Sequence, residues 1–191
     1  MSQVRNVAVV IGSIRKDSVS RKLAKAFAAV TPGLKFNVVE IDDLPHFDQD
    51  LESDPPAQWT RFRNEIASAD AVLFVTPEYN RSVPGVLKNA VDVGSRPYGS
   101  SVWNGKPGAV ISVSPGAIGG FGANHHLRQS LVFLNVPLLS QEAYVGNAFA
   151  LFDDNGELIN DGTAEFLKSY GVQFAAWIEK IVHDVPAAKA A

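Results

Sequence analysis

Apolar and polar positions change their spacing in a regular order along the chain. Five short apolar runs rich in β-branched residues are typical of strands, and we expect these at 7–11, 35–41, 71–75, 109–113 and 141–145. Between them, apolar residues recur at helical spacing, which predicts helices at about 18–30, 56–69, 84–93, 123–134 and 163–183. Strands and helices therefore alternate along the whole sequence.

This alternation predicts an α/β fold in which one parallel sheet carries helices on both faces. Right-handed crossovers between the five strands favour a doubly wound sheet of order 2-1-3-4-5, the flavodoxin-like arrangement. Neither a repeat nor a linker interrupts the pattern, so we expect a single domain over residues 1–191, with about 185–191 as a frayed tail. Ligands of such sheets bind beyond the carboxyl ends of the strands, where the strand order reverses.

The turn after the first strand carries residues that suit an anion. Gly12 permits a sharp turn, and Arg15 offers a planar guanidinium that matches phosphate oxygens. Hydroxyl groups come from Ser13, Ser18 and Ser20, and the following helix begins with unpaired N–H groups at the positive end of its dipole. A phosphate site is the favoured interpretation. Ordinary capping by Ser18 or Ser20, with a solvated Arg15, is the alternative.

Two further unusual loops follow strands three and four. Residues 77–82 are polar and include an aromatic ring, whereas residues 114–122 are rich in glycine, so that backbone can approach a flat ligand closely. Because the carboxyl ends of parallel strands meet at one sheet edge, all three loops are expected there. A phosphate attached to a flat aromatic ring fits this combination, and FMN is the obvious candidate. The alternative for 114–122 is a flexible loop.

Composition narrows the class of protein. The 191 residues are 46% hydrophobic and 19% charged, as in globular proteins with a sizeable core. A net charge of −3 without a basic block argues against nucleic acid as the main partner. We find no apolar run long enough for a membrane span and no signal-peptide pattern, so we expect a cytoplasmic protein. The absence of cysteine excludes disulfides and thiol catalysis.

Three other classes of protein share parts of the pattern but need different residues. A receiver-type signalling module needs acidic residues after strand one and an acceptor aspartate after strand three, where this chain has Gly-Ser and Thr-Pro. The dinucleotide fingerprint of a dehydrogenase belongs at the first strand–helix turn, whereas the glycine-rich stretch follows strand four. A nucleotide hydrolase needs the phosphate-binding sequence Gly-x-x-x-x-Gly-Lys-Ser/Thr, which does not occur in this chain.

Several motifs occur in the order found in one known family, the NAD(P)H-dependent FMN reductases, which include quinone- and chromate-reducing members. Residues 12–18 resemble the family's Gly-Ser-x-Arg-x-x-Ser phosphate loop, and residues 76–80 resemble its Thr-Pro-Glu-Tyr-Asn loop beside the flavin ring. The helix at 84–92, Ser-Pro-Gly at 114–116 with Gly119 and Gly120, and His-Leu-Arg at 126–128 are also similar. The chain departs from the family at Val93–Gly94, where a tryptophan is frequent.

The resemblance implies an oxidoreductase with bound FMN, held by three groups of residues. These are Ser13, Arg15, Ser18, Val19 and Ser20 for the phosphate, Pro77, Glu78, Tyr79 and Asn80 beside the isoalloxazine, and Ser114, Pro115, Gly116, Gly119 and Gly120 on its other side. Since a flavin supplies the chemistry, no catalytic side chain and no bound metal are expected. The backbone N–H of about Asn80 is expected near flavin N5.

The same resemblance implies the reaction. NADPH or NADH donates a hydride, and small-molecule acceptors take the electrons in a ping-pong cycle. The family's acceptors are quinones, free flavins, azo dyes and oxidised metals such as chromate or ferric complexes. A non-catalytic flavodoxin-like electron carrier or interaction protein is the alternative.

Helices three and four carry more apolar residues than one sheet-facing stripe needs. These are Val83, Val86, Leu87, Val91, Leu127, Leu131 and Val132. The surplus predicts a symmetric homodimer, and the resemblance adds a flavin near the subunit seam and pairing into tetramers. Arg81, Arg96 and Tyr98 are candidate seam residues. The adjacent His125 and His126 point about 100° apart on a helix, which favours packing or interface contacts over a shared metal.

Overall fold

The computed structural model describes residues 4–184, and the predicted alternation of strands and helices is present. The strands are β1 (Arg5–Ile11), β2 (Leu34–Val39), β3 (Ala71–Thr76), β4 (Gly108–Val113) and β5 (Ala143–Val145). The helices are α1 (Val19–Val30), α2 (Ala57–Ser68), α3 (Gly85–Ser95), α4 (Phe121–Phe133) and α5 (Asp161–Asp184). The frayed tail expected at about 185–191 lies outside the described residues.

The five strands form one parallel sheet of order β2-β1-β3-β4-β5. This confirms the predicted doubly wound order. In register, Ile11 is paired with Val75, and Thr76 is paired with Ser112. The carboxyl ends of β1, β3 and β4 therefore lie side by side, and the three unusual loops begin from neighbouring points on one edge.

Two hydrophobic layers cover the sheet, because alternate residues of each strand face opposite sides. Val7 and Val9 of β1 belong to the layer that packs under α1 and α5, whereas Ala8 and Val10 belong to the layer under α2, α3 and α4. All residues of β3 and β4 are buried. Burial on both faces explains why these strands read as continuous apolar runs.

Trp103 fills the second layer beside α3. Its indole is fully buried and donates a hydrogen bond of 2.9 Å to the carbonyl oxygen of Val91. A Cβ atom on Gly94 would lie 2.5 Å from the indole ring. At the point where the chain departs from the family pattern, glycine thus makes room for a tryptophan that comes from the following loop.

Helix α5 buries a slightly different stripe from the one its sequence favours. Spacing favours Phe166, Tyr170, Phe174, Trp177 and Ile181, but the fully buried side chains are those of Leu167, Tyr170, Phe174 and Ile178. Both stripes are apolar, so the choice depends on how the helix meets α1 and the sheet. Within residues 4–184, no helix combines the length and apolar character needed to cross a bilayer.

Candidate functional site

The loop after β1 brings three hydroxyl groups to the start of α1. Ser13, Ser18 and Ser20 are buried, with exposed fractions of 5%, 3% and 2%, and Arg15 is exposed. Ser18 is the N-cap residue of α1, since its Oγ accepts a hydrogen bond of 3.4 Å from the backbone N–H of Arg21. Capping therefore accounts for one of the three serines.

The only acidic residue of this loop is neutralised from within the chain. The carboxylate of Asp17 forms an ion pair of 2.6 Å with Lys22, and this contact lowers the pKa of the carboxyl group. The first turn of α1 itself contains no acidic residue. The positive end of the helix is thus left for a negative group from outside the described chain.

Gly12 joins the first loop to the second. Its backbone N–H donates a hydrogen bond of 2.9 Å to the carbonyl oxygen of Val75. A Cβ atom on Gly12 would lie 2.9 Å from Thr76 Oγ1, 3.0 Å from Leu87 Cδ2 and 3.3 Å from Pro77 Cδ. The missing side chain lets the two loops lie in direct contact.

The loop after β3 ends in a tight reversal. Tyr79 and Ser82 exchange two backbone hydrogen bonds, of 3.0 and 2.9 Å, around Asn80 and Arg81. Both central residues have positive φ, 50° for Asn80 and 64° for Arg81, which makes this a type I′ turn. Asparagine tolerates that conformation, but arginine rarely adopts it, so contacts outside the turn must hold Arg81.

Those outside contacts come from the first two turns of α4. The Glu78 carboxylate is only 13% exposed, and it accepts a hydrogen bond of 3.1 Å from the backbone N–H of Ala123. Ser82 Oγ lies 2.9 Å from His126 Nδ1. The 77–82 loop therefore rests on α4, and Glu78 is not the solvated charge that its type would suggest.

Buried polar side chains from β4 and α4 hold the end of the glycine-rich loop that follows β4. The Ser112 hydroxyl donates a hydrogen bond of 2.7 Å to the carbonyl oxygen of Gly119, and the Asn124 amide donates to Ser112 Oγ at 3.2 Å. Gly119 and Gly120 have φ values of 64° and 78°. A Cβ on Gly119 would lie 2.8 Å from the backbone nitrogen of Val145. Packing thus holds Gly119 and Gly120, whereas residues 115–118 are exposed.

The three loops surround one cavity of about 220 Å³. Of the sequence-predicted site residues, those that line it are Ser13, Arg15, Ser18, Val19, Ser20, Pro77, Glu78, Tyr79, Ser114 and Pro115. Asn80, Gly116, Gly119 and Gly120 do not line it, and for the last two the structure shows packing against β4 and β5. Their contact with a flavin stays a prediction.

Three further residues line the cavity but were not predicted from the sequence, namely Val113, Ala148 and Phe149. Phe149 is 75% exposed and belongs to a 3₁₀ turn, Ala148–Ala150, that follows β5. The predicted topology could have identified Ala148 and Phe149, because the loop after β5 leaves the same edge of the sheet as the other three loops.

A second, more open depression lies between α3 and α4. Its volume is about 780 Å³, and its lining includes Val83, Val91, Phe133 and Leu134. Phe133 is 88% exposed and Val132 is 63% exposed. However, Leu87, Val91, Leu127 and Leu131 are buried inside the chain's own second core layer, so most of the apolar surplus on these helices is used within the monomer.

The two adjacent histidines make separate contacts, as their angular spacing predicts. His125 Nε2 lies 2.9 Å from the Tyr144 hydroxyl, whereas His126 reaches Ser82. Tyr144 also donates a short hydrogen bond to Glu142. Burial and this carboxylate raise the pKa of Tyr144 to about 12. Within residues 4–184, no cluster of three side chains is arranged to hold a metal ion.

Comparison with known proteins then assigns the family. The family model described as "NADPH-dependent FMN reductase" matches residues 5–150. The chain belongs to this family. The predicted family, the flavodoxin-like fold and the expected flavin-dependent oxidoreductase are thereby confirmed.

Individual members of the NADPH-dependent FMN reductase family are similar over nearly the whole chain. A quinone reductase of Pseudomonas putida is 60% identical over 182 residues, covering 94% of this chain and 97% of that protein. A 2-hydroxy-1,4-benzoquinone reductase of Burkholderia sp. is 46% identical, covering 90% and 95%. The solved structure of FerB, a flavoenzyme NAD(P)H:(acceptor) oxidoreductase from Paracoccus denitrificans, is 43% identical, with a TM-score of 0.87 and coverage of 93% and 98%.

Proposed function

We propose that this protein is an FMN-dependent quinone reductase that uses NAD(P)H. The observation that carries the proposal is the convergence of three loops, from β1, β3 and β4, on one cavity at the switch point of the sheet. The names of the P. putida and Burkholderia relatives support quinones as acceptors. Residues 4–184 form one FMN-binding domain under this proposal.

The residues present fit the phosphate end of FMN. The hydroxyls of Ser13, Ser18 and Ser20 and the guanidinium of Arg15 line the cavity beside the N-terminus of α1. Helix N-termini and arginine are favourable partners for phosphate. Asp17, the nearby acidic group, is paired with Lys22 and does not line the cavity. Backbone N–H groups at Val19 and Ser20 complete the donor set.

The flat part of the cofactor fits the slot between the second and third loops. The cavity of about 220 Å³ is smaller than the roughly 300–1,000 Å³ usual for ligand pockets, so it would enclose only part of a bound FMN. Pro77 and Tyr79 line one side, and Ser114 and Pro115 line the other. A flat ring held by these residues and only partly enclosed would be accessible to nicotinamide and then to an acceptor.

When bound, FMN supplies a redox centre that takes a hydride from NAD(P)H and passes two electrons to a quinone. Overall, NAD(P)H, a proton and a quinone give NAD(P)⁺ and a hydroquinone. The protein's residues bind the phosphate, hold the ring between two fixed loops and shield one face from water. Because donor and acceptor need the same open face, we propose a ping-pong order. Chromate, ferric complexes, azo dyes and free flavins are further proposed acceptors.

The test is the absorbance spectrum of the purified protein with FMN, followed by anaerobic addition of NADPH or NADH and then of a benzoquinone. We expect flavin absorbance, bleaching by nicotinamide and recovery with quinone, and parallel double-reciprocal plots at steady state. A protein that gains no flavin absorbance contradicts the proposal. A flavin that neither nicotinamide bleaches identifies an electron carrier instead.

We further propose that the protein works as a cytoplasmic homodimer in which a second copy covers the groove between α3 and α4. The exposed Phe133 and the groove's other apolar residues support this face, and the exposed Val132 precedes Phe133 on the same helix. Pairing of dimers into tetramers is part of the same proposal. His126 lies at this groove and also contacts the 77–82 loop, so the interface and the cavity are neighbours.

A further inference from the structure

We propose that Glu78 is a positioning residue, which fixes the 77–82 loop by capping α4 and so sets the slot for the flavin ring. The inference rests on the proposed function. It gives Glu78 a role different from a direct flavin contact, because its carboxylate is already engaged by backbone of another element.

Helix α4 lacks a cap of its own. Its N-cap residue is Gly120, in a left-handed conformation with no side chain to accept a hydrogen bond, and its first turn contains no acidic residue. The Glu78 carboxylate accepts the N–H of Ala123 at 3.1 Å, from 45 positions earlier in the chain. A carboxylate at this place satisfies an unpaired donor and balances the positive end of the helix.

The loop backbone presses against the same helical turn. A Cβ atom on Gly122 would lie 2.6 Å from the carbonyl oxygen of Arg81 and 2.9 Å from Glu78 Oε2. Real Cβ atoms do not come this close to backbone atoms, so the 77–82 loop can pack against α4 in this way only because residue 122 is glycine. The guanidinium of Arg81 adds a weak contact of 3.4 Å to Glu78 Oε1.

The loop has a conformation that such docking must maintain. Asn80 and Arg81 both have positive φ, and a non-glycine residue in that region persists where surrounding contacts over-determine it. Glu78, immediately before this turn, joins it to the first turn of α4, and Ser82, at its end, contacts His126 further along the same helix. Without the cap, we expect the turn to relax and the slot to lose its fixed wall.

The same helical turn also supports the opposite wall. Asn124 follows Ala123 directly, and its amide donates to Ser112 Oγ and to the Ala143 carbonyl at 3.2 Å each. Ser112 in turn holds the carbonyl of Gly119. Because both walls are tied to residues 123–124, capping by Glu78 fixes their relative position as well as that of one loop.

The experiment compares Glu78→Ala with Glu78→Gln in the full chain. Both variants remove the charge, but glutamine keeps an oxygen that can accept the Ala123 N–H. We expect Glu78→Ala to raise the FMN dissociation constant about tenfold, the usual size of a lost cap, and to shift the midpoint potential of the bound flavin. Glu78→Gln should stay within about threefold of the parent and keep its potential.

Gly122→Ala tests the contact from the other side with Glu78 intact. Its Cβ displaces the loop, so FMN binding should weaken as in Glu78→Ala, although alanine is the better helix former. The matched control is Gly162→Ala, the second residue of α5 as Gly122 is of α4, where the nearest atom to a Cβ is 3.5 Å away. The control should leave FMN affinity unchanged.

Three outcomes overturn the inference while leaving the proposed function in place. Equal effects of Glu78→Ala and Glu78→Gln mean that the charge itself acts on the flavin. A lower melting temperature of the apoprotein with unchanged FMN affinity and potential means that the contact only stabilises the fold. Parent-like behaviour of Gly122→Ala means that the docking is not needed. A parent protein that binds no FMN instead contradicts the proposed function.

Discussion

The hydroxyl of Ser112 is fully buried and donates a hydrogen bond of 2.7 Å to the carbonyl oxygen of Gly119. Ser112→Ala removes this donor and the acceptor of the Asn124 amide, so a buried carbonyl is left unpaired. We expect the free energy of unfolding to fall by about 1–3 kcal/mol, measured by urea denaturation. Ser68→Ala, which removes an exposed serine-to-carbonyl bond on α2, is the control and should cost much less.

The phosphate role of Arg15 is testable by binding alone. Arg15→Ala should raise the FMN dissociation constant by about 10- to 100-fold, because a hydrogen bond to a charged group contributes about 1.5–3 kcal/mol. Stability should not change, since Arg15 is exposed. Fluorescence titration of free FMN measures the affinity. The neighbouring exposed Lys16, which does not line the cavity, gives the control Lys16→Ala. Equal affinities for the parent and Arg15→Ala contradict the assignment.

Gly94 is expected to be intolerant of any side chain. Alanine would gain about 0.5–1 kcal/mol in a helix interior, but its Cβ would lie 2.5 Å from the buried, hydrogen-bonded indole of Trp103. Overpacking of this kind costs about 1–3 kcal/mol or more and should dominate. Thermal unfolding of Gly94→Ala against Gly162→Ala checks the sign. A melting temperature above that of the parent rules out the close packing described for Trp103.

The proposed dimer depends on Phe133. Burial of a phenylalanine contributes about 1.5–3 kcal/mol, and a symmetric interface contains two copies. Phe133→Ser should therefore raise the dimer dissociation constant by at least roughly a hundredfold, as measured by sedimentation velocity over a range of concentrations. Val172→Ser, which changes an exposed residue of α5 outside the groove, should not. A monomeric parent, or a variant that stays dimeric, contradicts the proposal for this face.

We expect Tyr144 to make the free energy of unfolding depend on pH in the alkaline range. Its pKa of about 12 lies above its ordinary value of 10.0, so the folded state keeps the proton longer than the unfolded state does. Its contribution is complete below pH 10 and is lost as the pH rises towards 12. The facing groups are Glu142, His125 and Arg128. In urea unfolding, the stability difference between the parent and Tyr144→Phe should be constant below pH 10 and change above it; a constant difference throughout excludes the shift.

Local sequence patterns predict most of the fold and the general location of the site. The apolar run that ends at Ile11 and the helical spacing after Ser18 identify the first strand, loop and helix without any long-range information. The rule that ligands bind at the switch point then brings together loops that are about 60 and 100 positions apart. This is why the cavity contains most of the predicted residues.

The remainder depends on contacts that no local pattern encodes. The carboxylate of Glu78 accepts a hydrogen bond from Ala123, which lies 45 positions later in the chain. A single glutamate in a polar loop gives no sequence signal that predicts this partner. Similarly, Leu87 and Leu127 read as surplus on amphipathic helices, yet both are buried by the chain's own core. Helix rotation decides these cases, and rotation is set by packing against neighbours rather than by spacing along the sequence.

The first turn of α4 supports both walls of the flavin slot, through Ala123 on one side and Asn124 on the other. The Asn124 amide ties this turn to Ser112 of β4 and to the carbonyl oxygen of Ala143 in β5, and all three residues are fully buried. The loop that caps the turn is therefore positioned relative to the same strands as the glycine-rich loop. The width of the gap that receives a planar ring is set by the interior of the sheet rather than by the surface loops themselves.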